Sequence, residues 1–268
     1  IELDKDGIVI NYDNNRLDTA LDYVEIGYMI VEKDKTLSVY DKPECNFSSV
    51  LRKMANQKQI IAWVQNDQYH SISDPARWKK TEEYLKPKKI ILIDRDGVIN
   101  RKAPRGKYIA KWEEIRWIPE TLSAMKSLSK KGFKFIVISN QAGVARGMVE
   151  SVELNKIHLN MKSKLQKDGI EILDIYVCPH HWDEECSCRK PSPGMLFQAS
   201  NDYLFRLDKT LFIGDDPRDC QAAERAGCSS IFIGSKLFLE DLVDNEKPII
   251  SVDSLIDSIP IIENHMDQ

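Results

Sequence analysis

The second half of the chain alternates short apolar runs with amphipathic stretches. The apolar runs occupy residues 90–93, 133–138, 172–177, 211–213 and 230–233. Between them apolar side chains recur at helical spacing, in stripes formed by Leu122, Met125 and Leu128, by Leu154, Ile157, Met161 and Leu165, and by Ala222, Ala223 and Ala226. Strands of this kind separated by helices predict an α/β fold with a doubly wound, Rossmann-like parallel sheet. Such sheets bind ligands at the carboxyl ends of their strands, so we expect the chemistry just after each apolar run.

The first part of the chain shows a different pattern, in which short apolar runs are separated by turn signals. The turn Lys5-Asp6-Gly7 predicts a hairpin, and the predicted strands of this part are residues 1–3, 8–10, 23–31 and 60–64. The mixture of strands and a following helix predicts a small α+β segment.

A helix and a linker mark the predicted domain boundary. Ser73-Asp74-Pro75 combines a capping residue with a first-turn proline, which predicts a helix that ends at Leu85. The segment 86–89 has the composition of a linker. We therefore predict two domains, the α+β segment at 1–86 and the α/β domain at 87–268.

Composition and charge narrow the class of protein. The chain has 268 residues, of which 42% are hydrophobic and 30% are charged, which suits one or two globular domains. A net charge of -4 without a basic stripe argues against a nucleic-acid partner. No apolar run approaches the roughly 20 residues that cross a bilayer. We expect a cytoplasmic protein without nucleic-acid or membrane partners.

Polar clusters follow the apolar runs. The first run leads into Asp94-Arg95-Asp96-Gly97, the second ends in Ser139-Asn140-Gln141, and the fourth leads into Gly214-Asp215-Asp216. Arg189 and Lys190 lie between the last two clusters. Carboxylates bind hard divalent cations, whereas lysine, arginine and hydroxyl groups bind phosphate oxygens. The set suits a phosphate together with Mg²⁺.

An Asp-x-Asp-Gly sequence is weak evidence when it stands alone, because calcium loops and turns share the spacing. The chain contains a second example, Asp4-Lys5-Asp6-Gly7, which no downstream motif matches. We interpret that second example as a hairpin turn. The motifs that follow Asp94 favour catalysis there.

A cluster of cysteine and histidine residues predicts a metal site. Its spacing offers one nitrogen and three sulfur ligands, supplied by Cys178, His180, Cys186 and Cys188. Four protein ligands fill a tetrahedral zinc site, so we expect structural Zn²⁺ that fixes the segment carrying Arg189 and Lys190. The alternative is a set of free or paired thiols. His181 is expected to be a neighbour of the site, with a substrate contact as the alternative.

Five segments resemble the haloacid dehalogenase superfamily. They are ILIDRDGVIN at 91–100, VISNQAGVARG at 137–147, CPHH at 178–181, CSCRKP at 186–191 and GDD at 214–216. Within the superfamily they are similar to the branch that contains heptose 1,7-bisphosphate phosphatases and histidinol-phosphate phosphatases. The resemblance covers roughly residues 88–255.

The resemblance implies a reaction and assigns residues to it. Asp94 would be the nucleophile that forms an aspartyl-phosphate, and Asp96 would protonate the leaving oxygen and then activate water. Mg²⁺ would be held by Asp94 and Asp215 together with the backbone carbonyl of Asp96. Ser139 and Lys190 would contact the transferring phosphoryl group.

The resemblance also assigns substrate-binding residues and shows one departure. Asn140 and Arg189 would bind the substrate. Asp216 stands where relatives of the heptose type often carry lysine, so a phosphate contact is lost there or Asp216 assists the metal. The alternative for Asp216 and Asp219 is a pair of carboxylates at a helix N-terminus, which the helix dipole favours.

The first 86 residues resemble the later half of sugar-1-phosphate nucleotidyltransferases. The matching segments are KDG at 5–7, VEIGYM at 24–29 and HSISDPAR at 70–77. The glycine-rich nucleotide-binding loop of that fold is missing from the sequence, so this chain is not expected to transfer nucleotides. Because the chain begins at Ile1, we expect a piece of something longer, with a fused or associated nucleotidyltransferase as partner. The alternative is that residues 1–86 are a remnant that packs against the phosphatase.

The two resemblances together favour a sugar pathway. The expected activity is Mg²⁺-dependent removal of the 7-phosphate from D-glycero-D-manno-heptose 1,7-bisphosphate, a precursor of lipopolysaccharide or capsule. Histidinol phosphate is the alternative substrate. A non-catalytic scaffold domain is the alternative class of function, against which the intact set of Asp94, Asp96, Lys190 and Asp215 argues.

Overall fold

The chain folds into two compact units, Ile1–Tyr69 and His70–Gln268. The computed structural model describes residues 1–13, 15, 17–18, 21–40, 46–64 and 69–266. In these ranges no helix combines the length and the apolar composition needed to cross a bilayer.

The first unit contains a hairpin and two helices. Strands β1 (Glu2–Leu3) and β2 (Val9–Asn11) pair antiparallel, and helices α1 (Lys33–Val39) and α2 (Phe47–Asn56) follow. In the turn, Oδ1 of Asp4 accepts hydrogen bonds from the N–H groups of Asp6 and Ile8, both at 2.9 Å, and Gly7 has φ +80°. The interpretation of Asp4-Lys5-Asp6-Gly7 as a hairpin turn is confirmed.

Two strands predicted for this unit are wrong. Residues 23–31 form no strand and expose Tyr28 and Ile30, while residues 60–64 contribute one isolated bridge between Ile61 and Ile8. A strand gains its stability from cross-strand neighbours, and an apolar run without a ladder partner stays irregular. A small core forms instead around Val39, Val50, Met54 and Ile60.

The second unit begins with the helix predicted after Ser73. Helix α3 (Pro75–Leu85) is capped by Asp74, whose carboxylate accepts from the N–H of Arg77 at 2.9 Å. Residues 70 and 71 are tied to this helix, because the His70 ring stacks on Tyr84 and the carbonyl of Ser71 accepts from Thr81. The structural division therefore precedes α3, whereas the sequence places the boundary at 86/87. The likeness of residues 1–86 to nucleotidyltransferases stays a prediction.

A six-stranded parallel sheet forms the centre of the second unit. Its strands are β3 (Ile90–Ile93), β4 (Lys134–Asn140), β5 (Ile172–Cys178), β6 (Leu211–Gly214), β7 (Ser229–Ile233) and β8 (Ile250–Val252). The order across the sheet is β5-β4-β3-β6-β7-β8, and every pair is parallel. The helices are α4 (Pro119–Lys130), α5 (Ser151–Lys167), α6 (Gly194–Tyr203), α7 (Pro217–Arg225) and α8 (Ile259–Met266).

Helices cover both faces of the sheet, as predicted for a doubly wound fold. Successive residues of β3 point to opposite faces, so Ile91 and Ile93 join a core cluster with residues of α4 and α5. Ile90 and Leu92 join a second cluster with residues of α6 and α7. Both faces of β3 are therefore buried against helices, which explains its unbroken apolar sequence.

The strand order reverses at β3, which has β4 on one side and β6 on the other. In open parallel sheets the ligand crevice lies outside the carboxyl ends of the strands at such a switch point. The polar residues that follow β3, β4 and β6 are brought together there.

Candidate active site

A cavity of about 260 Å³ lies at the carboxyl ends of β3 and β4. Five of the predicted site residues line it, namely Asp94, Asp96, Ser139, Asn140 and Lys190. Its wall also carries cations and an aromatic ring that the sequence had not singled out, from Lys102, Lys107, Tyr108 and Arg218. The cavity thus combines carboxylates with an excess of basic groups, a composition that suits a phosphate and a cation.

Asp94 is fixed between neighbouring strands by its backbone and by Lys190. Its N–H donates to the carbonyl of Ile213 in β6 at 2.9 Å. The ammonium of Lys190 donates to Oδ1 of Asp94 and to the carbonyl of Ile138 in β4, both at 2.9 Å. The same Nζ lies 2.7 Å from Oδ1 of Asp219. One buried lysine therefore joins two carboxylates at the base of the cavity.

Burial favours the neutral forms of Asp94 and Lys190, whereas the attraction between their opposite charges favours the ionised forms. Burial raises the pKa of Asp94 to about 6, although Lys190 opposes the shift. Burial alone would lower the pKa of Lys190, but the carboxylates of Asp219 and Asp94 outweigh it and hold that pKa above its ordinary value. Lys190 stays charged, and a further cation beside Asp94 would favour its ionised form.

Asp96 is held by four hydrogen bonds. Its Oδ2 accepts from Nε and Nη2 of Arg95, at 3.1 and 2.7 Å, and from Nε2 of Gln141 at 2.8 Å. Its Oδ1 accepts from Nδ2 of Asn100 at 2.8 Å. Burial by itself would raise the pKa of Asp96, but the charge of Arg95 and these hydrogen bonds outweigh it and lower the pKa.

The other predicted residues differ in where their side chains lie. Ser139 is buried, and its Oγ accepts from Gln141 at 2.8 Å beside the cavity. The Asn140 amide donates to the carbonyl of Lys190 and accepts from its N–H, both at 3.0 Å, so it holds the lysine segment in place. Arg189 is not among the residues lining the cavity, and its Nη1 donates to the carbonyl of His180 at 3.4 Å.

Carboxylates of Asp94, Asp215 and Asp219 lie close enough to share an ion, with oxygens within 4.8 Å of one another. Oδ1 of Asp215 is buried without a hydrogen-bond partner among the described residues, and burial raises the pKa of Asp215 to about 6 although Lys102 opposes the shift. An orphaned hard oxygen beside Asp94 fits Mg²⁺. The carboxylate of Asp96 is occupied by its four donors, which leaves its backbone carbonyl as the predicted ligand.

Both carboxylate oxygens of Asp219 already have partners within the protein, unlike those of a free metal ligand. Its Oδ2 accepts from the N–H groups of Asp215 and Asp216, at 3.2 and 3.1 Å, while its Oδ1 faces Lys190. Asp216 caps α7 and forms a two-point ion pair with Arg218, at 2.8 and 2.7 Å. The helix-terminal interpretation of these two carboxylates therefore fits the structure. Arg218 brings a cation to the cavity wall.

The potential ligand atoms of Cys178, His180, Cys186 and Cys188 lie within 4.8 Å of one another, close enough to share one metal ion. Sγ of Cys178 lies 3.5 Å from Nδ1 of His180 and 3.7 Å from Sγ of Cys186, and His180 Nδ1 lies 3.1 Å from Sγ of Cys188. Zinc bonds of about 2.3 Å to sulfur and about 2.0 Å to nitrogen place such ligands about 3.5–3.8 Å apart. The two distances from Cys178 match this range, and the distance between His180 and Cys188 is shorter. Burial raises the pKa of the Cys188 thiol to about 12, with the neighbouring thiols adding to the rise. A cation would therefore be needed to hold Cys188 as a thiolate.

His181 lies outside this group of four ligands, since its Nδ1 pairs with the carboxylate of Asp183. Gln141 and Asn100, both of which hold Asp96, were missed by the sequence reasoning as site residues. Both sit inside the segments resembling known motifs, and Gln141 also belongs to the polar cluster after the second apolar run. His158, which contacts Arg95, carried no signal of this kind.

Gly97 marks the closest approach of backbone to the carboxylates. It has φ +102°, and a Cβ built on it would lie 1.9 Å from Oδ2 of Asp215 and 2.6 Å from Cε of Lys102. We expect Gly97→Ala to displace the Asp215 carboxylate and to lower kcat/KM by roughly 100-fold or more. Steady-state phosphate release measures the effect.

Gly132→Ala is the matched control, because Gly132 has φ +87° and its added Cβ would meet nothing within 4 Å. Both substitutions carry left-handed strain of about 1–2 kcal/mol, visible in thermal unfolding. Only Gly97→Ala should lose activity. Equal activity in the two variants would show that the Asp215 carboxylate is not needed where it lies.

Comparison with known proteins places the chain in a family. A family model described as HAD-hydrolase-like matches residues 187–258. The D-glycero-alpha-D-manno-heptose-1,7-bisphosphate 7-phosphatase of Photorhabdus laumondii is 35% identical over 152 residues, which are 54% of this chain and 81% of that protein. The corresponding beta-heptose enzyme of Pseudomonas putida is 37% identical over 145 residues, 54% of this chain and 82% of that protein.

A solved structure agrees with these relatives. The D,D-heptose 1,7-bisphosphate phosphatase of B. bronchiseptica, crystallised with magnesium and phosphate, superposes with a TM-score of 0.59 at 30% identity and covers 66% of this chain and 98% of that one. The parallel sheet, the carboxylates at the ends of β3 and β6, and relatives matched over most of their length all agree. The chain belongs to the haloacid dehalogenase superfamily, in the family of the heptose 1,7-bisphosphate 7-phosphatases.

Proposed function

We propose that the second unit hydrolyses the 7-phosphate of D-glycero-D-manno-heptose 1,7-bisphosphate in a Mg²⁺-dependent reaction. The observation that carries the proposal is the buried Lys190 between Asp94 and Asp219, at the base of a cavity that Asp96 also lines. The relatives named above are phosphatases of this substrate, and they match the unit over about four-fifths of their own length.

Asp94 is the nucleophile in this proposal. A carboxylate oxygen attacks the phosphorus, the bond to the sugar oxygen breaks, and an aspartyl-phosphate forms on Asp94. The ammonium of Lys190, 2.9 Å from Asp94 Oδ1, and the hydroxyl of Ser139 stabilise charge that develops on the phosphoryl oxygens. Asn140 keeps Lys190 at this place by its two hydrogen bonds to the lysine backbone.

Asp96 moves the protons. It gives a proton to the departing sugar oxygen and later takes one from the water that attacks the aspartyl-phosphate. A phosphate dianion in the cavity raises the pKa of a carboxyl group beside it, which favours the protonated form that the first step needs. When bound between Asp94 and Asp215, Mg²⁺ offsets the repulsion between an anionic nucleophile and an anionic substrate.

The cluster of Cys178, His180, Cys186 and Cys188 is proposed to hold structural Zn²⁺. All four positions of a tetrahedral site are supplied by the protein, so no position is left for a reacting water. The cluster lies just ahead of Lys190 in the chain, and it would fix the loop that delivers this residue to the cavity.

The test is phosphate release with Mg²⁺ from heptose 1,7-bisphosphate, in both anomers, against histidinol phosphate at equal concentration. We expect a kcat/KM preference for a heptose of at least about 100-fold, which is roughly 2.7 kcal/mol of transition-state discrimination. Phosphorus NMR of the product should show that the 1-phosphate is retained. A preference for histidinol phosphate, or loss of the 1-phosphate, would overturn the proposal.

A further inference from the structure

The buried side chain of His158 contacts Arg95, the residue whose guanidinium binds Asp96. The side chain of Arg95 is 1% exposed, and its Nη1 lies 2.9 Å from Nε2 of His158 in α5. The same guanidinium donates through Nε and Nη2 to Oδ2 of Asp96. His158 is also buried, within the apolar stripe of α5 that packs on the sheet.

The chemistry of the two side chains fixes the direction of this contact. A guanidinium has only donors, so Nε2 of His158 must be the acceptor, and the imidazole is neutral with its proton on Nδ1. Burial, together with the charge of Arg95, lowers the pKa of His158 to about 3. The histidine is therefore a neutral acceptor for Arg95 near pH 7.

The hydrogen bonds divide the two oxygens of Asp96 into different roles. Oδ2 accepts three N–H groups, two from Arg95 and one from Gln141, whereas Oδ1 accepts one, from Asn100. An oxygen that already accepts three donors is a poor site for a proton, so the proton of the acid form belongs on Oδ1. The orientation of Arg95 therefore decides which oxygen of Asp96 carries the proton.

We propose that His158 is a positioning residue for general-acid catalysis: it anchors Arg95, which holds Oδ2 of Asp96 and leaves the proton on Oδ1. This inference rests on the proposed phosphatase function. As the bond between phosphorus and the sugar oxygen breaks, its electron pair stays on that oxygen and the proton of Oδ1 moves to it. At the same time Asp94 forms the new bond to phosphorus.

His158 is the only member of this chain of contacts that lies on α5, away from the strand ends. Arg95 follows β3. Its Nε and Nη2 bond to Asp96, and its remaining nitrogen, Nη1, contacts His158. Without an acceptor at this place the guanidinium would turn toward another one and release Asp96. The effect should therefore appear in proton transfer rather than in substrate binding.

The test compares leaving groups. General acid is needed when the leaving oxygen is strongly basic, as in a sugar phosphate, and hardly needed for 4-nitrophenyl phosphate. The ratio kcat/KM is the right quantity, because it excludes the later hydrolysis of the aspartyl-phosphate, which is common to both substrates. For His158→Phe we expect a loss of about 30- to 100-fold with the sugar phosphate and less than about threefold with the aryl phosphate.

Conservative and control variants separate positioning from folding. His158→Gln keeps an acceptor and should recover most of the loss with the sugar phosphate. Met161→Ala, on the same buried face of α5, should lower the unfolding temperature without changing the ratio between the two substrates. If His158→Phe unfolds, His158→Gln against His158→Leu tests the same contact, because only glutamine offers an acceptor to Arg95, and the selective loss should appear in His158→Leu.

Three outcomes would overturn the inference: equal losses with both substrates, no loss with either, or a His158→Gln variant as impaired as His158→Phe. The variant Asp96→Asn distinguishes failure of the inference about His158 from failure of the proposed function. That variant must itself lose far more activity with the sugar phosphate than with the aryl phosphate. If it does not, Asp96 is not the acid, and the proposed mechanism fails whatever His158 does.

Discussion

Asp94→Asn should lower phosphate release by at least about 10⁴-fold and leave the protein folded. The amide has the shape of the carboxylate but cannot attack phosphorus, and removing a nucleophile costs factors of this size in enzymes that form covalent intermediates. Lys190 keeps its partner Asp219 in the variant, so the buried ammonium is not left alone.

The stability of this variant follows from the direction of the pKa shift. Burial raises the pKa of Asp94 to about 6, which means that the fold without metal disfavours the charged carboxylate. A neutral amide removes that cost, so the unfolding temperature in EDTA should stay unchanged or rise. Phosphate release with Mg²⁺ and thermal unfolding followed by circular dichroism give the two measurements.

Asp253→Asn is the matched control for this substitution. Asp253 is exposed, outside the cavity, so the variant should keep wild-type activity. Activity above about 1% in Asp94→Asn would mean that another group attacks phosphorus. An inactive wild-type chain that folds and binds Mg²⁺ would favour the scaffold alternative.

The sequence predicted the sheet well because most of its strands are covered on both faces. In a globular chain an unbroken apolar run such as Ile90–Ile93 indicates a buried strand, so β3 to β7 could be predicted from the pattern alone. β8 was missed because it is three residues long, with Ser251 in the middle, and lies at the edge of the sheet. In the first unit, apolar residues 23–31 looked like a strand but have no ladder partner.

The site could be predicted as far as parallel strands bring their ends together. Asp94 and Asp215 each follow a strand and Ser139 lies near the carboxyl end of β4, so topology alone places them on one edge. The ion pair between Lys190 and Asp219 depends instead on how a loop and the first turn of α7 pack, which no local pattern encodes. His158 could not be predicted, because it lies on α5 beside Ile157 and no local pattern indicates its contact with Arg95.

Removal of zinc should destabilise the second unit, whereas removal of Mg²⁺ should only stop turnover. In the described structure the loop between Cys178 and Cys188 contains no helix or strand, so zinc bound by the four residues of the cluster would help to fix its conformation. Zinc binding stabilises small zinc-dependent domains by about 10–16 kcal/mol. Here the hydrophobic core remains, so we expect a smaller loss of about 4 kcal/mol, which corresponds to roughly 10 °C in unfolding temperature.

The measurement is metal content by mass spectrometry together with thermal unfolding, under reducing conditions. The purified chain should hold one zinc, and Cys188→Ser should lower both the zinc content and the unfolding temperature. Cys220→Ala, which removes a buried thiol outside the cluster, should keep its zinc. Because Cys188 lies two residues before Lys190, the zinc-free protein should also lose kcat more than it raises KM. A chain without zinc that melts at the same temperature after chelation would instead indicate free or paired thiols at this place.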